Sequence, residues 1–181
     1  MRRMSLAAGA ALFAATAIMA AGFATGTFAQ GPGQPQAQAA MSDAQGKALG
    51  TITLTQFPQG LLVHAELDGL KPGWHAVHIH ENGTCTPSFA AAGGHFNPHG
   101  GQHGIDAAPT HAGDLPNFWV DESGKGGFET VTVSVTLGEG QASLFKPGGT
   151  TFVVHAQPDD YASEPAGNSG DRVACGVVSK S

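Results

Sequence analysis

The chain has 181 residues, of which 41% are hydrophobic and only 12% are charged, with 14 acidic and 8 basic side chains. This length is sufficient for one domain with a buried core. The formal net charge of −6 makes nucleic acids and anionic membrane surfaces poor partners, because both repel an acidic protein.

The N-terminus has the pattern of an export signal. Arg2 and Arg3 precede an apolar, alanine-rich run over residues 6–24, and small residues follow it. This order is typical of a cleaved signal peptide, which we place at residues 1–29. A retained membrane anchor is the alternative, because the run is long enough to span a bilayer. Cleavage would leave six basic and 14 acidic residues, a periplasmic or secreted protein of charge −8 without stable membrane association.

The rest of the chain divides into a short linker and one domain. Residues 30–40 contain mainly Gln, Pro, Gly and Ala and are predicted to be a flexible linker. Residues 41–181 alternate apolar and polar side chains between glycine and proline turns, which is typical of an antiparallel all-β sandwich or barrel. The predicted strands are 48–56, 61–67, 74–80, 117–121, 128–136, 142–145 and 150–156, with a weaker candidate at 37–41.

Two predicted loops, residues 81–116 and 157–172, are too long to be simple connections. Long loops inside compact domains are usually functional or disordered. The first loop contains four of the nine histidines of the chain, so its composition points to a function.

Histidines concentrate around the third predicted strand and the first long loop. His78 and His80 are two residues apart in an apolar run, so in an extended strand both imidazoles project to the same side. Two imidazoles on one rigid surface form half of a transition-metal site. Further candidate ligands follow in the loop, namely His95, His103, His111 and Asp114.

Less specific interpretations apply to other histidines. A single histidine is more often a surface or hydrogen-bonded residue than a ligand, and we interpret His64 and His99 in this way. A metal-scavenging histidine tract is the alternative for the whole cluster, but such tracts are usually repetitive. Each histidine of the cluster has different neighbours, which favours a specific site.

Cys85 and Cys175 are the two cysteines of the chain. In an exported protein a disulfide between them is the default, and metal ligation is the alternative.

Several separated motifs resemble, in the same order, those of the copper/zinc superoxide dismutases, over residues 49–178. Residues 73–80 (GWHAVHIH) are similar to the family's GxHGxHxH strand, with Ala76 where glycine is usual. Residues 94–98 (GHFNP) resemble the bridging-histidine motif, and 111–117 (HAGDLPN) resemble the zinc loop. Residues 167–177 (GNSGDRVACGV) complete the pattern. The resemblance implies a Greek-key sandwich or flattened barrel of about eight strands.

The resemblance also implies a role for each matching residue. His95 would bridge the two metals, Asp159, or in second place Asp160, would orient one ligand of each metal, and Arg172 would dock the anion. Cys85 and Cys175 would form the family disulfide, and His75 would bond loop backbone outside the metal sites. One copper per subunit would be held by His78, His80, His95 and His155. One zinc per subunit would be held by His95, His103, His111 and Asp114.

The implied reaction is the dismutation of superoxide to oxygen and hydrogen peroxide by Cu(II)/Cu(I) cycling, with a structural zinc and His95 as proton donor. An exported copper/zinc storage protein without turnover is an alternative, and a zinc hydrolase is another.

The sequence departs from the common cytosolic members at two points. Cys85 lies farther from His95, and the short second loop has Arg172 as its only cation, without the lysine-bearing guidance segment. These features and the leader resemble the bacterial periplasmic branch. Dimer contacts differ between branches, so a homodimer stays an open alternative.

Overall fold

The structure, a computed structural model, describes residues 36–181; the predicted signal peptide lies outside them. These residues form nine β-strands and one short 3-10 helix of residues Phe89–Ala92. The strands are β1 (Gln36–Ser42), β2 (Ala48–Phe57), β3 (Gly60–Asp68), β4 (Gly73–His75), β5 (Val77–His80), β6 (Phe118–Val120), β7 (Lys125–Thr132), β8 (Thr151–His155) and β9 (Arg172–Lys180).

All nine strands belong to one antiparallel sheet, in the order β4-β6-β7-β3-β2-β1-β9-β8-β5. The two edge strands, β4 and β5, are separated in sequence by Ala76 alone. The sheet therefore curls until its edges meet, as a nearly closed barrel, and the all-β antiparallel prediction is confirmed. The single strand predicted at 74–80 is divided because Ala76 bonds elsewhere: its N–H donates to Gln157 O, and its carbonyl accepts from His155 N.

The barrel core follows from the period-two patterns of the strands. Alternate residues of β2 and β3, such as Ile52 and Val63, are fully buried in it. Strands β5 and β8 differ, because every residue in both is buried. In β5, Val77 and Ile79 belong to the core cluster, so His78 and His80 point to the opposite face, beneath the two long loops.

Glycines account for two errors in the predicted strands. Residues 124–127 lie outside the predicted strands 117–121 and 128–136, but β7 begins at Lys125. A side chain at Gly127 would approach Ala65 O to 2.7 Å, so glycine allows the close pairing there. The prediction also missed β9. In this strand Gly176 packs so closely that a Cβ would lie 2.6 Å from Met41 Sδ. These glycines permit close packing of neighbouring strands rather than turns.

Two further predictions need correction. The strand predicted at 142–145 is wrong, since only Ser143 makes an isolated bridge there, to Thr136. The linker predicted to end at residue 40 is also wrong in its last part. Residues 36–40 belong to β1, because Ala37 and Ala39 are buried and the strand pairs with both β2 and β9.

The predicted disulfide is confirmed. Cys85 and Cys175 are bonded across 90 residues of sequence, with their Cα atoms 5.9 Å apart. The bond ties the start of the first long loop to β9. Within residues 36–181, no helix is long and apolar enough to cross a membrane.

Candidate metal centre

The first long loop is attached to β5 by backbone hydrogen bonds. Phe96 N–H donates to Ile79 O at 2.8 Å, and Ile79 N–H donates to Gly113 O at 2.9 Å. A Cβ at Gly113 would overlap Ile79 O, so only glycine allows this approach. These contacts place loop histidines beside the histidines of β5, with bridges between His80 and His95.

Seven side chains converge there in two groups. In each group the candidate ligand atoms lie within 4.8 Å of one another. The group that we call the four-histidine group contains His78, His80, His95 and His155. The group that we call the carboxylate group contains His95, His103, His111 and Asp114.

The four-histidine group has its ring orientations fixed by bonds from the far nitrogens. His80 Nδ1 bonds Gly93 O at 3.0 Å, and His155 Nδ1 bonds Gly170 O at 3.2 Å. The Nε2 atoms of these two rings therefore face each other, 3.4 Å apart. Hydrogen bonds of this kind select the tautomer that leaves the inner nitrogen free to bind a metal.

The carboxylate group is arranged around Asp114. His95 Nδ1 lies 2.7 Å from its Oδ1, His103 Nδ1 lies 3.1 Å from Oδ2, and His111 Nδ1 lies 3.5 Å from Oδ1. Thr110 Oγ1 donates a hydrogen bond to Oδ2 at 3.1 Å. Three imidazole nitrogens and one oxygen therefore surround a common point.

His95 belongs to both groups because its two ring nitrogens face opposite ways. Nδ1 faces Asp114, whereas Nε2 is buried with no hydrogen-bond partner among residues 36–181. One imidazole can thus contribute a ligand atom to each of two neighbouring ions.

Buried nitrogens without hydrogen bonds show that both groups fit a metal. Buried polar atoms nearly always have a partner, yet within residues 36–181 four ring nitrogens have none. They are His78 Nδ1, His95 Nε2, His103 Nδ1 and His111 Nδ1. Each belongs to one of the two groups, and a cation is the partner that would satisfy a bare imidazole nitrogen. Imidazole and carboxylate donors suit copper and zinc.

Burial keeps three rings of the four-histidine group, those of His78, His80 and His155, uncharged. It lowers the pKa of His80 to about 2 and that of His155 to about 3, with smaller contributions from neighbouring imidazolium charges and from Arg172. Burial likewise lowers the pKa of His78. At neutral pH these rings have free lone pairs, which is the form that binds a metal.

Asp159 connects the two groups from behind. Its Oδ2 accepts from His78 Nε2 at 2.8 Å, and its Oδ1 accepts from His103 Nε2 at 2.9 Å. Burial would raise the pKa of this carboxyl, but the two histidine hydrogen bonds lower it overall. Asp160, the alternative from the sequence, is exposed and bonds Ser163 and Asn168 of its own loop.

Comparison with known proteins places the chain. The sequence profile of copper/zinc superoxide dismutase (SODC) matches residues 48–178. The chain belongs to this family. It is 44% identical over 147 residues to superoxide dismutase [Cu-Zn] 2 of Aquifex aeolicus, covering 79% of this chain and 86% of that protein. It is 41% identical over 147 residues to superoxide dismutase [Cu-Zn] of Caulobacter vibrioides, covering 78% and 84%.

A solved structure agrees with this family assignment. The crystal structure of a SOD-like protein from Bacillus subtilis superimposes with a TM-score of 0.73 at 36% identity, over 77% of this chain and 96% of that chain.

In this member of the dismutase family, Arg172 lies beside the four-histidine group. It pairs with His155 in the β8–β9 register. Its guanidinium donates to Phe89 O and Gly93 O, both at 2.6 Å. Gly93 O also accepts from His80 Nδ1, so one carbonyl orients both the cation and a ring of the group.

The remaining histidines of this family member lie outside both groups. His75 is buried, and its ring nitrogens face His155 O at 2.6 Å and Lys71 O at 2.8 Å. His64 is partly exposed and bonds Glu129 across the β3–β7 pair at 3.2 Å. His99 is exposed. These positions agree with the interpretation of His64 and His99 from the sequence as surface or hydrogen-bonded residues.

The sequence analysis missed several residues that support the groups in this dismutase-family fold. Asn117 clamps the backbone of Asp159: its Oδ1 accepts from Asp159 N–H, and its Nδ2 donates to Asp159 O, both at 2.8 Å. Glu164 accepts from the backbone N–H of His103 at 2.8 Å. Asn117 is the last residue of the zinc-loop motif, and this position was the one feature of the sequence that could have indicated its role.

Gly167 provides a direct test of the carboxylate that joins the two groups. Its φ is 63°, and a Cβ would overlap Asp159 Oδ1 and lie 2.7 Å from His103 Nε2. We expect Gly167→Ala to displace Asp159 and to weaken zinc retention roughly 10- to 100-fold, the usual cost of losing an outer partner of a metal ligand. Competition with a zinc chelator measures this change.

Gly46→Ala is the matched control for that substitution. Gly46 also has a left-handed φ, 80°, but a methyl group there would meet no atom of residues 36–181 within 4 Å. If Gly46→Ala released zinc faster than the wild type, and as fast as Gly167→Ala, backbone strain rather than displacement of Asp159 would be the cause.

Proposed function

We propose that this protein is an exported superoxide dismutase in which His78, His80, His95 and His155 hold copper, and His95, His103, His111 and Asp114 hold zinc. The observation that carries the proposal is the position of His95, whose two ring nitrogens face two different ligand groups. The family of the chain supplies the reaction, which converts two superoxide anions and two protons to oxygen and hydrogen peroxide.

The chemistry of the donors supports this division of the metals. Three histidines and a carboxylate form a closed tetrahedral set, which is typical of structural zinc. Imidazole ligation suits copper. When bound, copper supplies the reversible one-electron chemistry that takes an electron from one superoxide and gives it to a second.

The side chains bind the anion and supply a proton. Arg172 is the only Lys or Arg of residues 157–172, where Asp159, Asp160, Glu164 and Asp171 are acidic. Its guanidinium attracts superoxide and holds it beside the group. His95 is placed to hold a proton at Nε2 when that nitrogen is not a metal ligand, since its Nδ1 is directed to the carboxylate group. That proton and a second from water complete hydrogen peroxide.

A superoxide-consumption assay tests the proposed function. Protein loaded with copper and zinc should consume superoxide catalytically, and metal-free protein should not. A protein that bound one equivalent of each metal without catalytic consumption would instead be a storage protein.

Two observations together support the proposed export. Residues 1–29 have the pattern of a cleaved leader, and the disulfide is of a kind that persists in oxidising compartments. The proposed location is the periplasm or the medium. N-terminal sequencing of the mature protein should then begin near residue 30, and a full-length chain retained in the cell would contradict it.

Arg172→Ala should lower kcat/KM on the order of tenfold and weaken its dependence on ionic strength, because steering by charge is screened by salt. Copper content should stay intact, as measured by metal analysis. Arg172→Lys is the control, because it keeps the charge but not the fixed double donation to Phe89 O and Gly93 O. Equal salt dependence in wild type and Arg172→Ala would refute the steering role.

Asp114→Asn should reduce zinc binding by more than roughly 100-fold, since it removes a charged ligand rather than an outer partner. The four-histidine group contains no atom of Asp114, so copper binding should change much less. Metal analysis after dialysis against chelator measures both ions, and equal loss of copper and zinc would contradict the division.

A further inference from the structure

Tyr161 is the single tyrosine of the chain and has an unusual backbone conformation. It lies in the second long loop, two residues after Asp159, with a φ of 61°. A large side chain rarely adopts this left-handed conformation, and it persists only where surrounding contacts fix it. The contacts of Tyr161 are therefore informative.

Three hydrogen bonds hold Tyr161, and each reaches the surroundings of the carboxylate group. Its phenol oxygen accepts from the backbone N–H of Asn117 at 2.7 Å. Its carbonyl accepts from Ile105 N–H at 3.1 Å. Its own N–H donates to Asp159 Oδ1 at 2.6 Å. One residue thus joins Ile105 of the first long loop and Asn117, which directly follows that loop, to the carboxylate that links the two groups.

The contact with Asn117 closes a ring of interactions. The side chain of Asn117 holds the N–H and the carbonyl of Asp159. Tyr161 in turn holds the backbone of Asn117 through its phenol. The backbone of Asp159 is therefore fixed by Asn117, and one of its carboxylate oxygens is fixed by Tyr161. That same oxygen accepts from His103 Nε2.

Tyr161 also lines a cleft beside the ligands. The cleft has a volume of about 400 Å³. Its wall includes His103, Asp114, Asp159 and Tyr161, together with Ile105, which is 75% exposed. Tyr161 therefore borders the same cleft as His103 and Asp114.

We propose that Tyr161 is a positioning residue for dismutation: its phenol holds Asn117 so that Asp159 keeps His103 in the orientation that binds zinc. The inference rests on the proposed assignment of His103 and Asp114 to zinc. It assigns the hydroxyl group a role that packing of the aromatic ring alone would not have.

Tyr161→Phe separates these two roles, because it keeps the ring in the cleft and removes only the acceptor for Asn117 N–H. We expect zinc transfer from the fully loaded protein to a chelator to be about tenfold faster, at the lower end of effects for outer partners of metal ligands. Cobalt(II) substituted for zinc should show an altered visible spectrum, because its absorption reports ligand geometry directly.

Thr136→Val is the matched control. It also removes a single hydroxyl, one that donates to Gln56 Oε1 at 3.0 Å in another part of the barrel. We expect this variant to keep the zinc-transfer rate and the cobalt spectrum of the wild type, even if its thermal midpoint falls.

The outcomes distinguish this inference from the proposed function. If Tyr161→Phe matched the wild type in zinc transfer and cobalt spectrum, while the wild type bound both metals, the positioning role would be overturned and the assignment of metals would stand. Equal changes in Tyr161→Phe and Thr136→Val would also overturn it, by showing a global effect. A wild type that bound no zinc would overturn the metal assignment and this inference with it.

Discussion

The rest of the site depends on the imidazole of His95 and on the contacts that orient it. The ring lies at the boundary of two ligand groups, and its orientation is set by Asp114 on one side and by backbone pairing of its loop with β5 on the other. Behind it, Asp159 makes a second connection between His78 and His103. Two connections, one through a ring and one through a carboxylate, make it difficult to move one group without the other.

The barrel provides the rigid surface that this arrangement needs. Strands β5 and β8 are buried on both faces, so their histidines have little freedom to rotate. The loops have no such support from secondary structure, and they are held by specific contacts instead. Asn117, Tyr161 and Glu164 each bond the backbone or carboxylate of a residue in or beside the carboxylate group. Preorganisation in this fold therefore comes from strands for one half of the site and from side-chain clamps for the other.

The sequence predicted the parts of this fold that depend on residue type and spacing. The alternation in β2 and β3 identified strands, and the pair His78 and His80 identified a shared face. Two of the errors involve glycines: Gly126 and Gly127 were left out of β7 and Gly176 lies in the missed β9, whereas these residues permit close contact between strands. That distinction depends on neighbours distant in sequence.

The candidate site was predictable to a similar extent. The side chains that converge on the two groups were recognisable from their motifs, because their residue types are chemically distinctive. Their supports were not, because Gly93 makes its contacts through its carbonyl, and Tyr161 through its phenol oxygen and its backbone. Only the folded chain shows which backbone atoms such groups reach.

The disulfide has a consequence for Arg172, the cation that we propose binds the anion. Arg172 donates to carbonyls of Phe89 and Gly93, in the segment that begins at Cys85, while Arg172 itself precedes Cys175 by three residues on β9. The covalent bond therefore holds the donor and its acceptors together as one unit. If Arg172 binds the anion as proposed, a thiol-rich compartment that reduced the disulfide would loosen the contacts of this guanidinium without removing any proposed metal ligand.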